Sequence, residues 1–160
     1  MQEDVNLLIS EQLDNYSDKY VVMRAVDNMG SIEHNDNFVQ YLDSGSDDLK
    51  KASASLLAKS ETHRPQVIKQ MFKDKSIIGT KSMVEAIIKS GNTKLSNSEE
   101  AQMKRIIVTS LKQDNFKYEQ LLKLYFHNSS TLNNKDKSFL KSLSKNYNLS
   151  QSIQDRINEI

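Results

Sequence analysis

Residues 20–60 carry the sequence YVVMRAVDNMG-SIEHNDNFVQYLDSGS-DDLKKASASLLAKS, and this stretch decides the fold. Apolar residues recur in it every three or four positions, which is the spacing of one buried helix face. Gly30 and the Ser44-Gly45-Ser46 turn interrupt the pattern at its two junctions. The stretch therefore predicts helix, turn, helix, turn, helix.

The same spacing extends in both directions along the chain. Ser46, Thr62, Ser96 and Ser150 are predicted N-caps, and Ser96 forms a capping box with Glu99. Gly91 is predicted to end one of these helices. The pattern predicts helices at residues 3–14, 17–30, 35–43, 47–59, 62–73, 80–90, 96–113, 116–127, 135–146 and from 150 onward.

Composition supports an all-α protein of about nine or ten short helices in a single domain spanning residues 1–160. The chain has one Pro and four Gly, which is too few for a fold with many tight turns. It has no Cys, which excludes disulfides, Cys metal ligands and a Cys nucleophile. No apolar run approaches the roughly 18 residues of a membrane span, and the first residues lack a signal-peptide pattern. We expect a soluble protein of unassigned compartment.

Charge is distributed unevenly along the chain. Residues 1–50 hold 11 Asp/Glu and 3 Lys/Arg, a net charge of −8, whereas residues 51–160 hold 10 and 19, a net charge of +9. One interpretation is two solvated surfaces of different composition. The other is complementarity between the ends, or an acidic partner bound by the C-terminal half.

The helices also repeat. Residues 17–46 align with residues 47–76 at an offset of 30, which places apolar on apolar positions: Val26 on Leu56, Phe38 on Ile68, Tyr41 on Met71 and Leu42 on Phe72. A third copy follows, whose second helix places Met103, Ile106 and Ile107 on Ile68, Met71 and Phe72. The helices at 116–127 and 135–146 are the candidate fourth copy. Helix pairs repeating at this period predict a short α-solenoid, an α-α superhelix of stacked antiparallel pairs.

The run AVDNMGSIEHNDNFVQYLDSGSDDLKKASASLL resembles a HEAT-type repeat of the armadillo-like superfamily. The resemblance rests on Ala25, Gly30, Phe38, Tyr41, Leu42, Asp43, the Asp48-Leu49-Lys50 tripeptide, Ala52 and Leu56. The family often has Arg where Lys50 stands, and Pro near Asn37. The resemblance is good over residues 20–60, fair over 61–91 and weak after 92. It implies a superhelix without implying a reaction. A similarity to the helical part of vitellogenin-like lipid carriers rests on the same residues and adds no lipid site.

No constellation of residues points to catalysis, to a metal or to a cofactor. His34, His63 and His127 are isolated from one another. The acidic pairs Glu3-Asp4, Asp47-Asp48 and Glu99-Glu100 stand at predicted helix starts, where they favour the helix dipole. Phosphate-binding glycine loops and calcium loops are missing from the sequence. We therefore predict no catalytic, metal or cofactor residues, and an enzyme is the least favoured interpretation.

Basic residues form the one candidate binding surface. Lys137, Lys141 and Lys145 are spaced by four and share one side of a predicted helix. The candidate patch also includes Lys104, Arg105 and Lys112 of the predicted helix at 96–113, which join it if the two helices align. A solvated helix face is the simpler interpretation. The functional one is an electrostatic surface for nucleic acid or an acidic protein, which Asp136 and the scarcity of Arg weaken.

The sequence thus predicts a non-catalytic scaffold that binds a protein partner through its helical repeats. The alternative is binding of nucleic acid or an acidic partner through the C-terminal lysines. Three or four repeats make a short solenoid, which also fits a piece of a longer protein.

Overall fold

The computed structural model describes residues 35–160, and every described element is helical. The helices predicted at residues 3–14 and 17–30 lie outside the described residues. The chain divides into two compact units, Met1–Asn92 and Thr93–Ile160. The all-α prediction is confirmed for residues 35–160.

Within its described residues, 35–92, the first unit contains a 3₁₀ helix and three α-helices. The 3₁₀ helix spans Asn35–Asp43, and α1 (Asp47–Leu57), α2 (Arg64–Lys73) and α3 (Ile77–Ser90) follow. Helix α1 packs against the 3₁₀ helix and against α3, and α2 also packs against α3. Small residues of α1 allow this approach, since Ala52, Ser53 and Ala54 are all buried.

The core of the first unit comes from the predicted apolar stripes. Its largest fully buried side chains include Phe38, Leu57, Ile68, Met71, Met83 and Ile87. Leu49 and Ile88, which are apolar residues of α1 and α3, are only half-buried.

Local capping chemistry places most helix ends of the first unit where the sequence predicts them. The Ser46 side chain accepts a hydrogen bond from the Leu49 N–H, and Gly91 ends α3 with a left-handed φ of 80°. Helix α3 begins at Ile77, three residues earlier than predicted, because Ser76 caps it by accepting from the Gly79 N–H.

The prediction that Thr62 caps the second α-helix is wrong. The N-cap is His63, and Pro65 lies in the first turn of α2 as expected. The preceding turn already satisfies the first donors, because the N–H groups of His63 and Arg64 both donate to the Ser60 carbonyl oxygen. A side-chain cap at Thr62 is therefore not needed.

The second unit contains four α-helices and a short 3₁₀ turn at Ser129–Thr131. The helices are α4 (Asn97–Lys112), α5 (Lys117–His127), α6 (Asn134–Asn146) and α7 (Gln151–Asn158). Helix α4 packs against α5, and α6 packs against α7.

Helix α5 supplies much of the core of the second unit, as its apolar sequence predicts. Six of its aliphatic and aromatic side chains are buried: Tyr118, Leu121, Leu122, Leu124, Tyr125 and Phe126. Phe116, which we included in this helix, precedes it and is exposed. Ile106, Leu111 and Phe139, also expected inside, are half-buried.

Candidate functional site

The start of α4 separates two adjacent glutamates into different roles. The predicted capping box is present: the Glu99 N–H donates to Ser96 Oγ at 3.3 Å, and the Ser96 N–H donates to Glu99 Oε2 at 2.8 Å. Glu100, one position further around the helix, instead binds Lys104 Nζ at 2.8 Å, one turn along α4. The capping requirement explains Glu99, whereas Glu100 is available for tertiary contacts.

The start of α6 supplies a third charged side chain. Asn133 caps this helix by accepting from the Asp136 N–H at 2.9 Å. The Asp136 side chain, 9% exposed, accepts a hydrogen bond from Lys104 Nζ at 2.8 Å through Oδ1. Glu100, Lys104 and Asp136 together form what we call the acidic cluster: two carboxylates bridged by one ammonium.

Aromatic rings lie beside the acidic cluster. The Lys104 ammonium lies 5.4 Å from the ring centroid of Phe139, and the rings of Phe139 and Tyr125 are 6.0 Å apart. Tyr125 is only 4% exposed, and its buried hydroxyl has no hydrogen-bond partner among residues 35–160. A buried unsatisfied hydroxyl is costly, so this group stands out.

The surroundings shift the pKa values of Asp136, Lys104 and Tyr125. Burial raises the pKa of Asp136, but hydrogen bonds with Glu100 and Lys104 outweigh burial and hold it below its ordinary value. Burial lowers the pKa of Lys104, yet its bonds to Asp136 and Glu100 outweigh this and raise it. Burial, reinforced by the charges of Glu100 and Asp136, raises the pKa of Tyr125 far above its usual range. The cluster therefore holds two carboxyl groups for one ammonium.

A cavity of about 570 Å³ borders this arrangement. Its wall includes Glu100, Asp136 and Tyr125, and the cavity lies wholly within the Thr93–Ile160 unit. The apolar part of the wall comes from Leu95, Met103, Leu124 and Leu132, and the neutral polar part from Thr93, Asn97, Asn128, Thr131 and Asn133. Thr93 Oγ1 donates to Asn128 Oδ1 at 2.7 Å, which joins two segments of that polar wall. An apolar wall with a few polar groups is the usual composition of a small-molecule site.

The structure separates the six residues of the predicted basic patch. Lys104 belongs to the acidic cluster, where its charge is shared by two carboxylates. Lys141 and Lys145 are exposed on α6 and Lys137 is half-buried, while Arg105 and Lys112 are exposed on α4. Within residues 35–160, these five residues form no ion pair. Within the part of the chain that the structure describes, Lys104 is therefore ion-paired, whereas the other five residues of the predicted patch are not.

Sequence patterns miss the acidic cluster and the cavity. Glu100 and Asp136 are 36 positions apart, and only tertiary packing brings both to Lys104. The one local signal is the Glu100–Lys104 spacing of four, which is common on exposed helices. Tyr125 is indistinguishable by sequence from the other apolar residues of α5.

The first unit contains a different charged arrangement. Lys50 on α1 binds Asp74 Oδ2 at 2.8 Å, and Asp74 is the C-cap residue of α2. Asp43, at the end of the 3₁₀ helix, accepts from Lys73 Nζ at 3.2 Å and Gln70 Nε2 at 3.0 Å. The hydrogen bond from Lys73 and its positive charge lower the pKa of Asp43. Gln70 and Lys50 lower this pKa to a smaller extent. Lys50 therefore interacts with two aspartates that end successive elements.

Neither histidines nor acidic groups form a metal site in the part of the chain that the structure describes. His63 Nδ1 lies 2.9 Å from Ser60 Oγ within the turn before α2, and His127 is exposed at the end of α5. His34 lies outside the described residues. No helix within residues 35–160 is long and apolar enough to cross a membrane.

Comparison of this chain with family models, with curated proteins and with solved structures finds no match.

Proposed function

We propose that this chain is a non-catalytic protein-interaction scaffold built from HEAT-like repeats in an α-solenoid. The observation that supports this most directly is the Lys50–Asp74 ion pair, which joins α1 to the end of α2, together with Asp43 at the end of the 3₁₀ helix. The two aspartates are 31 positions apart, close to the repeat offset of 30, and end equivalent elements. A lysine that pairs with Asp74 and whose charge also acts, more weakly, on Asp43 fits stacked copies of one motif.

The burial pattern supports the same repeat. Phe38, Tyr41 and Leu42 are buried, and so are their counterparts Ile68, Met71 and Phe72. Equivalent positions thus face the core in successive copies. In a solenoid the buried stripes hold the repeats together, and the outer faces of the second helices remain for a partner.

A binding experiment with the full chain tests this proposal. The chain is immobilised, retained proteins are identified, and each is purified and titrated against the free chain. We expect Lys69→Glu to weaken the binding of a genuine partner at least about fivefold. Lys69 is exposed on α2, which is the second helix of its repeat. Lys89→Glu is the matched control. It makes the same charge change at an exposed position of α3, which is the first helix of the next repeat. Equal affinity of both variants and the wild type would contradict the assigned face.

The second candidate function is binding of nucleic acid or an acidic partner through the basic residues of the second unit. It is favoured by cations of α4 and α6 that form no ion pair within residues 35–160, among them Arg105, Lys112, Lys137, Lys141 and Lys145. The unit holds 11 Lys/Arg and 7 Asp/Glu, a net charge of +4. Lysines in such surroundings attract polyanions in a salt-dependent way.

Fluorescence anisotropy at low salt distinguishes this candidate. Labelled single-stranded DNA and labelled polyglutamate are titrated with the wild type and with the triple variant Lys137→Glu, Lys141→Glu, Lys145→Glu. Binding that weakens at least about tenfold in this variant supports the candidate. The control is Lys69→Glu, Lys81→Glu, Lys89→Glu, which makes the same charge change in the first unit. If neither probe binds, this second candidate function is contradicted.

A further inference from the structure

The acidic cluster and its cavity form a binding site that is independent of the scaffold function. We propose that this cavity binds a small organic ammonium compound, with the charged nitrogen at Glu100, Asp136 and Tyr125 and an apolar carbon body inside the cavity.

The charge of the cluster favours a cation. Glu100 and Asp136 share the single ammonium of Lys104, with both contacts at 2.8 Å. The cluster therefore has more carboxyl groups than ammonium groups. The other charged residue of the cavity wall is Lys94, which is exposed. A second ammonium at the carboxylates would complete the neutralisation in partly buried surroundings, where charge-assisted hydrogen bonds are strong.

The hydrogen-bonding groups match an ammonium in number and type. Carboxylates only accept hydrogen bonds, and a primary ammonium has three N–H donors and no acceptor. The two carboxylates supply two acceptors at the cavity wall, and the Tyr125 hydroxyl oxygen supplies a third. This hydroxyl lacks a partner among residues 35–160 and is close enough to both carboxylates for their charges to act on it. A bound ammonium would satisfy a group that the chain leaves unsatisfied.

The remaining wall determines what the ammonium is attached to. Leu95, Met103, Leu124 and Leu132 offer an apolar lining. The volume of about 570 Å³ exceeds that of one ammonium ion and falls in the range of roughly 300–1,000 Å³ typical of small-molecule pockets. A ligand with a hydrocarbon body gains from burying that body, at about 0.8 kcal/mol per methylene group. Simple metal cations or ammonia would leave this apolar wall unused.

Amide-resolved NMR titration of the full chain tests the site with three probes of equal length: hexylammonium, hexanol and hexanoate. We expect saturable shifts of the amides of Leu95, Glu100 and Asp136 with hexylammonium, and binding of hexanol at least about tenfold weaker, because it lacks the charge. Hexanoate should not bind. Equal affinity for hexanol and hexylammonium would show an apolar cavity only and overturn the proposal, as would the absence of saturable shifts.

Variants locate the ammonium. Glu100→Gln keeps the Lys104–Asp136 contact and should weaken hexylammonium at least about tenfold, and Tyr125→Phe should weaken it about threefold. Glu159→Gln removes the same charge outside the cavity wall and should leave the affinity unchanged. The amide spectrum of each variant reports its folding directly. Equal weakening by Glu159→Gln and Glu100→Gln would reduce the effect to general electrostatics and contradict the site.

Discussion

Each unit contains a lysine ammonium bound by a buried aspartate, and the two pairs differ in what surrounds them. Lys50 and Asp74 are 11% and 3% exposed, and their contact is 2.8 Å. Asp74 also accepts from the Ser76 N–H at 2.7 Å, and the backbone of Gly79 packs directly against its carboxylate. Lys104 and Asp136 make a contact of equal length, but Lys104 is 25% exposed and a second carboxylate and a cavity adjoin the pair.

The difference indicates two uses of the same interaction. At Lys50–Asp74 the surroundings are filled, so the pair fixes the packing of α1 against the end of α2. At Lys104–Asp136, two carboxylates share one ammonium and border the cavity. Their oxygen atoms can therefore accept further hydrogen bonds from a ligand. Four predictions, ordered by expected effect, test this contrast between a closed and an open ion pair.

The largest effect is expected from removing the ammonium of the closed pair. Lys50→Met leaves Asp74 buried without its counter-charge and should lower the free energy of unfolding by about 3 kcal/mol. Lys104→Met, in more exposed surroundings, should lower it by only about 1 kcal/mol. Urea denaturation measures both, with Lys51→Met at an exposed neighbouring position as the control. A larger loss in Lys104→Met than in Lys50→Met would reverse the contrast.

The close approach of Gly79 to Asp74 gives the next effect. A Cβ atom at residue 79 would lie 2.6 Å from Asp74 Oδ2, inside contact distance. Gly79→Ala should therefore lower the free energy of unfolding by about 2 kcal/mol, although Ala is normally the better helix former. Gly45→Ala is the control, because nothing lies within 4 Å of its Cβ position. Thermal denaturation in which both variants match the wild type would show that the Asp74 site is not tightly filled.

Helix boundaries and core residues were largely predictable because they depend on local chemistry. The caps at Ser46 and Ser96, the left-handed Gly91 and the apolar stripe of α2 follow from residue types within a few positions. The Thr62 prediction failed because a hydrogen-bonded turn from Ser60 already satisfied the helix start. Capping propensities of single residues do not include this competition between a side-chain cap and a backbone turn.

The candidate site was not predictable, for a different physical reason. Lys104 was assigned to a basic patch because its neighbours Arg105 and Lys112 are cations, and Asp136 was noted only as weakening that patch. Their contact depends on how α4 and α6 pack, and residue spacing carries no information on this. Lys104 and Asp136 come together only in the folded chain. Counting charges along the sequence therefore cannot identify this pair.

The open cluster should make the stability of the chain depend on acid pH. The pKa of Asp136 lies below its ordinary value of 3.8 in the folded chain, so its ionised form is the one that stabilises. That contribution is complete above the unfolded value of about 3.9 and is lost as the pH falls through the folded value. Between pH 5 and pH 2 the free energy of unfolding should fall less in Asp136→Asn than in the wild type.

The matched control for this measurement is Asp155→Asn, at an exposed position of α7. Urea denaturation at each pH gives the free energies of unfolding. An identical pH dependence in the wild type and Asp136→Asn would show that the Asp136 carboxylate contributes nothing at acid pH.

The smallest effect is expected at the Tyr125 hydroxyl, and its sign is informative. Because this group has no partner among residues 35–160, Tyr125→Phe should leave the unligated chain equally stable or raise its free energy of unfolding by up to about 1 kcal/mol. Tyr118→Phe, whose hydroxyl lies 3.5 Å from Glu119 Oε1, is the comparison. A loss above about 1 kcal/mol in Tyr125→Phe would mean that the hydroxyl forms a hydrogen bond in solution.

A crystal structure of the full chain with hexylammonium tests the open ion pair most directly. We predict the ligand nitrogen within about 3.2 Å of oxygen atoms of Glu100, Asp136 and Tyr125, with its carbon chain against Leu95 and Leu124. The Lys50–Asp74 pair should bind no ligand in the same crystal. A cavity closed by a direct hydrogen bond from the Tyr125 hydroxyl to Glu100 or Asp136, with no ligand inside, would contradict the account.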